Sequence, residues 1–190
     1  MAGKKKTKAS DRIYQMKITL KGTKPPIWRR VEVPGELTLG RLHEVIQAAM
    51  GWYGGHLHQF TIDGMEYGLP DEDLGIDIED EDRMTLDRLQ LGEKSKFLYQ
   101  YDFGDDWEHD ILVEKILPRV AGRHYPVCVK GKRACPPEDV GGVWGYTDFL
   151  AIIGDPKHPE HEEMLEWVGG EFDPEDFDLQ RVNARLGSFR

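Results

Sequence analysis

Only two cysteines occur in the chain, Cys128 and Cys135, with six residues between them. So low a count excludes a disulfide-stapled secreted scaffold, and the pair reads as free thiols or ligands in a reducing compartment. The spacing is wider than a zinc knuckle uses, so a cysteine-only metal site finds little support. Long apolar runs are also missing: none approaches the length that spans a bilayer, which leaves no basis for a membrane partner. The basic run Lys4, Lys5, Lys6 and Lys8 leads into Ala9, Ser10, Asp11 and Arg12 and not into an apolar segment, so it cannot act as a secretory signal. A cytoplasmic location is expected. Positive charge is scarce, with 25 Lys and Arg against 35 Asp and Glu and a formal net charge of −10. That balance disfavours tight, nonspecific nucleic-acid binding. Several catalytic signatures are absent too: no phosphate loop, no Gly-x-Ser-x-Gly elbow, and no His-Arg-Asp loop to accompany Asp102-Phe103-Gly104.

What is present is enough apolar surface for a core. Hydrophobic residues make up 39% of the chain, and Trp28, Trp52, Trp107, Trp144 and Trp167 are spread along its length, which argues against a long disordered half. A disordered basic tail over residues 1–12 and a single α+β domain over 13–190 are expected. Period-two alternation predicts strands at Ile13–Leu20 and Ile27–Val33, forming a hairpin, and again at Leu57–Ile62 and Met65–Tyr67. Thr38 as N-cap, apolar residues from Leu39 to Met50 at helical spacing, and Gly51 as terminator predict a helix. Residues 70–83 carry eight acidic side chains and read as a solvated acidic loop; they lack the oxygen spacing of a calcium-binding loop. Phe97–Phe103 and Trp107–Leu117 predict a second hairpin, turning at Gly104-Asp105-Asp106. This order suggests a β-grasp-like mixed sheet with one packed helix over residues 13–117. Beyond Pro118, glycine and proline predict a structured loop, followed by helices at Thr147–Ile153, Pro159–Val168 and Pro174–Leu186, the last capped by Asp173. This is the loop and helical extension, residues 118–190.

A set of ordered motifs runs through these elements. They are Pro26-Ile27-Trp28-Arg29-Arg30, Gly51-Trp52, His56-Leu57-His58-Gln59-Phe60 and the run from Tyr101 to His109, then Tyr125-Pro126, the run from Pro136 to Gly142, Gly145-Tyr146, Asp155-Pro156 and His158-Pro159-Glu160-His161. Together they resemble the family of open reading frame three of root-inducing (pRiA-type) plasmids, also found as passenger proteins of mobile elements. The resemblance covers about residues 13 to 186. It implies an α+β fold and a link to mobile elements, and it brings no established reaction, substrate or catalytic residue.

The residues themselves offer one constellation. His56 and His58, two apart in a predicted strand, would point the same way, and Asp102, Asp106 and His109 lie on the second hairpin. Convergence of these five would give the mixed nitrogen and oxygen set that a divalent transition metal such as zinc accepts. Glu138 and Asp139, in a stiff Pro-Pro loop, are candidates for a general base. Trp28, Arg29 and Arg30 combine an aromatic with two cations and are a candidate partner-binding surface. Against these stands a structural reading in which the aspartates are turn residues and the histidines are packed aromatics. The expected function is a binding or accessory module without an assigned reaction. The alternatives are a metal-dependent, hydrolase-like enzyme and a nucleic-acid accessory factor of mobile elements.

Overall fold

Tyr14, Met16, Ile18 and Leu20 alternate with polar residues, and all four are buried in strand β1 (Arg12–Leu20). Strand β2 (Trp28–Pro34) runs antiparallel to it, with Val31 opposite Met16 and Arg29 opposite Ile18. The expected hairpin forms. In the computed structural model residues 10–71 and 78–188 are described; the basic tail up to Ala9 and residues 72–77 of the acidic segment lie outside them.

Helix α1 (Leu39–Met50) begins where the Thr38 hydroxyl accepts from the Arg41 amide, and it ends at Gly51, whose φ of 107° is left-handed. Leu39, Leu42, Val45, Ile46 and Ala49 form its fully buried stripe and belong to one core with the inward residues of the sheet. Emptying such a position, as in Leu42→Ala, costs about 2–5 kcal/mol.

The sheet is completed by β3 (His58–Ile62), β4 (Met65–Gly68), β5 (Glu79–Asp80), β6 (Lys96–Tyr101), β7 (Trp107–Pro118) and β8 (Val127–Lys132). Among the described residues it has eight strands in the order β5-β4-β3-β6-β7-β1-β2-β8. Every pairing is antiparallel except β4 with β5, so the sheet is mixed. With α1 and, among the described residues, four further helices, α2 (Leu86–Leu89), α3 (Gly142–Gly154), α4 (His161–Val168) and α5 (Leu179–Leu186), the fold is α+β. No helix among the described residues is long and apolar enough to cross a membrane.

Three segments differ from the reading of the sequence. The end of the acidic stretch is ordered: Glu79 and Asp80 pair with β4, and a 3-10 turn follows at Glu81–Arg83, capped by Asp80. Its anchor is Glu81, which is buried because it meets a histidine there. Within the Gly- and Pro-rich segment, Val127–Lys132 forms the edge strand β8, since β2 still had a free edge to pair. The last helix starts later than expected, because Asp178 and not Asp173 takes the amides of its first turn, from Gln180 and Arg181. Asp173 accepts from Glu175 in the turn before. Asn183 of α5 clasps β8 by accepting from the Cys128 amide at 2.8 Å and donating to the Cys128 carbonyl at 2.9 Å.

Candidate metal centre

Strand β6 is followed by Asp102, whose amide donates to the Leu57 carbonyl at 2.8 Å and whose φ of 56° turns the chain. Its Oδ1 accepts from the amides of Gly104 and Asp105, at 3.0 and 3.4 Å. That side-chain turn leaves Oδ2 to face His56, with Nε2 3.8 Å away. A second chain segment docks on the same turn. The Gly141 amide donates to Asp105 Oδ2 at 3.2 Å, and Gly142 approaches so closely that a Cβ there would stand 2.3 Å from the Asp105 carbonyl oxygen. Docking carries Asp139, at φ 59°, to the same imidazole nitrogen, its Oδ1 3.3 Å from Nε2.

One nitrogen and two carboxylate oxygens from three separate segments therefore lie within 4.8 Å of one another. Donors each about 2.1 Å from a shared ion are separated by roughly 3.0–3.4 Å, so the imidazole and Asp139 already stand at ligand spacing, whereas Asp102, 3.8 Å from the imidazole in a set up to 4.8 Å wide, has to move inward to share an ion. Side-chain exposure grades from 12% for Asp102 through 37% for His56 to 71% for Asp139, so the set opens to solvent on one side.

The loop bearing Asp139 is held by the connection between α1 and β3. Trp52 Nε1 donates to the Pro136 carbonyl at 2.9 Å, and Glu138 Oε1 accepts from the Tyr53 amide at 3.2 Å and the Tyr101 hydroxyl at 2.7 Å. Burial, and then the neighbouring Glu138 carboxylate, push the Tyr101 phenol above its ordinary range, so it stays a donor. Glu138 is thus engaged as a brace, and Asp139 stands among the three candidate ligands.

Of the five residues expected to converge, His56 and Asp102 come together and the other three do not join them. The strand starts at His58, so His56 lies before it and period two does not align the pair. His58 points into the protein, where Nε2 meets Glu81 Oε2 at 2.9 Å and its ring stacks on His43. His109 occupies an inward position of β7 and is fully buried; its Nδ1 donates to the Trp107 carbonyl at 3.0 Å, and its ring packs against Trp52 and Tyr99. Burial depresses its pKa to about 4. Asp106, at φ 56° in the turn, accepts from Gln100 Nε2 at 2.6 Å.

Residues 12–181 match the family model described as plasmid pRiA4b ORF-3-like protein. The chain belongs to this family. It is 43% identical over 172 residues to the uncharacterized protein y4hQ of Sinorhizobium fredii (strain NBRC 101917 / NGR234), a match spanning 90% of this chain and 86% of that one. It is also similar to a solved structure, the protein of unknown function MM3350 from Methanosarcina mazei Go1. The TM-score is 0.83 and the identity 40%, over 90% of this chain and 97% of the other. Neither relative brings a reaction with it.

In this pRiA4b ORF-3-like protein the trio Trp28, Arg29 and Arg30 is split between two faces. Arg29 points inward and is 2% exposed, whereas Arg30 stacks over Trp28 and is paired bidentately with Glu114, Nη2 to Oε1 at 2.7 Å. Lys17 lies on the same indole, 5.1 Å from its ring centre. Two polar residues of the buried network, His43 and Glu81, went unread in the sequence. The first sits on a helix whose signal is apolar, the second in a run of acids. The cue for Glu81 is the capped helix start at Thr85, four residues on, which marks the end of the solvated stretch.

Proposed function

We propose that this protein is a binding module that holds one divalent transition-metal ion, zinc or manganese, between His56, Asp102 and Asp139 at the rim of an open groove. The observation that carries the reading is the convergence of three donor atoms from separate segments within 4.8 Å. Two carboxylates match the charge of a dication, and one imidazole with two oxygens is a set that zinc and manganese accept. Three protein ligands leave positions open for a molecule in the groove. Of the three ligands Asp139 lines that groove of about 1160 Å³, together with Trp52, Tyr53, Glu138, Trp167 and Phe172. Engagement of Glu138 by Tyr101 and Tyr53 favours binding over metal-assisted hydrolysis, where Glu138 would have to be free as a base. A β-grasp-like frame, with α1 laid across the sheet between two hairpins, and a cytoplasmic setting that keeps Cys128 and Cys135 reduced belong to the same proposal.

Metal analysis of untagged protein, with titration calorimetry of zinc and manganese into the chelator-treated form, tests it. About one equivalent per chain is expected, lost in His56→Ala with Asp102→Asn and retained in His109→Asn. Absence of uptake, or uptake unchanged in the double variant, overturns the reading.

A further inference from the structure

Arg29 lines the floor of the groove although only 2% of its surface is exposed. Its Nε donates to the Ala49 carbonyl at 2.8 Å, and Nη1 donates to the carbonyls of Trp28 and Lys132 at 2.9 and 3.0 Å. Phe177 covers one face of the guanidinium, its ring centre 4.8 Å from Cζ. Nη2 has no acceptor, and no carboxylate forms an ion pair with Arg29, among the described residues. A guanidinium remains charged even where burial lowers its pKa, as it does here, so the groove floor holds a buried positive charge without a counter-ion. The nearby thiols do not supply one, because burial raises both and holds Cys135 at about 12.

A second guanidinium lies in the same groove. Arg185, in the last turn of α5, passes over the end of α1 with Nη1 2.6 Å from where a Gly51 Cβ would be, and no carboxylate pairs with it among the described residues. The end of α1 carries about half a negative charge, which offsets only part of two cations. Most lining acids are already engaged. Asp176 is paired with Arg181, Asp178 accepts the first amides of α5, Asp173 accepts from Glu175, and Glu138 accepts from Tyr101. Asp139 stands 3.3 Å from His56 Nε2 with or without a metal, which leaves Glu171 as the one lining acid with no partner among the described residues.

We infer that the groove floor is a subsite for an oxyanion, a carboxylate or phosphate group, held by the guanidinium groups of Arg29 and Arg185. Guanidinium donates charge-assisted N–H bonds to both anions; Arg29, its Nε and Nη1 committed to carbonyls, offers Nη2, and the paired donors of a fork come from Arg185. The inference names what the proposed module takes, and it rests on that reading only for the groove's role, since no metal is needed to hold the anion.

The test uses the full chain stripped of metal and kept in EDTA, so its failure leaves the metal reading standing and the reverse also holds. Inorganic phosphate and acetate are titrated separately at constant ionic strength, following the fluorescence of Trp52 and Trp167, which line the groove. A saturable response to at least one anion is expected, weakened about tenfold by Arg185→Ala, as loss of one charge-assisted contact gives, and unchanged by Lys96→Ala on the outer face of the sheet. The anion bound more tightly identifies the ligand group. Arg29→Met is scored only if its far-ultraviolet spectrum and melting are those of a folded chain; Arg185, exposed on its helix, carries the test otherwise. A response matched by chloride, or one equal in Arg185→Ala, overturns the inference.

Discussion

The imidazole of His43 lies flat on that of His58, ring centres 3.5 Å apart and planes 8° from parallel. The pair is held from both ends. His58 meets the Glu81 carboxylate, while His43 Nδ1 stands 2.7 Å from the Tyr99 hydroxyl, which also accepts from Gln47 Nε2 at 2.9 Å. While it accepts from Gln47, the Tyr99 hydroxyl can also donate its own proton to Nδ1 of a neutral His43 ring. Burial, and next the adjacent His58, depress the His43 pKa to about 3.

Acid should destabilise the protein through this histidine and His109. Above about 6.5 both rings are neutral in the folded and unfolded chains. Below it the unfolded chain takes up protons that the folded one refuses until about 3 for His43 and about 4 for His109. Stability should fall by about 1.4 kcal/mol per pH unit for each histidine as pH drops from about 6.5 towards those values. Urea unfolding at pH 7.5, 6 and 5 measures the slope, and His43→Gln should remove about one proton's share of it.

Breaking the buried pair from one side should cost more than replacing it. Glu81→Ala leaves the His58 ring without its hydrogen-bond partner in a site where both side chains are almost wholly enclosed, and a loss of about 1–3 kcal/mol is expected. Combining Glu81→Leu with His58→Phe should cost markedly less than the two single changes added. Denaturant midpoints of the four proteins close the cycle.

At Asp102 the structural and metal-binding roles should separate. Asp102→Asn keeps an oxygen for the amides of Gly104 and Asp105 and tolerates φ 56°, so stability should change by no more than about 0.5 kcal/mol while zinc affinity falls at least about tenfold. Asp102→Ala forfeits the turn as well and should lose about 1–2 kcal/mol. Calorimetric zinc titration beside thermal melting reads both.

Gly142→Ala should weaken metal binding without touching a ligand. Its φ is 68°, and the new methyl would sit against the Asp105 carbonyl oxygen, so the loop that brings Asp139 must lift off the turn. A stability loss above about 1 kcal/mol and a lower zinc affinity are expected together. Zinc affinity at the wild-type level in a folded Gly142→Ala protein would show that the docking is not what places Asp139.

Much of this fold was legible where one physical signal dominates. β1, β2 and α1 announce themselves through alternation, helical spacing and the caps Thr38 and Gly51, because each has one wet and one dry side. β8 was hidden because Lys130, Gly131 and Lys132 carry no apolar alternation; it is a strand because β2 offers it an edge. Asp173-Pro174 has the look of a helix start, yet Asp178 supplies the cap, and local chemistry alone does not rank the two. For the site, Asp102 and His56 could be named from their types, but their meeting depends on the loop between α1 and β3 and on the docking of residues 138–142. Contacts so distant in sequence leave no periodic trace. His109 shows the converse: its inward position in β7 was readable from alternation with Trp107 and Ile111, and that alone places it in the core.

The clasp of Asn183 on Cys128 gives the last helix a protective duty. A strand at the margin of a sheet exposes unpaired amides and carbonyls that invite another chain to add on. Here one side-chain amide, with its donor and acceptor side by side, stands in for the missing neighbour near the start of β8. A chain cut before Leu179, or carrying Asn183→Leu, would offer that margin to its own copies, and its failure would be seen as aggregation before it was seen as unfolding.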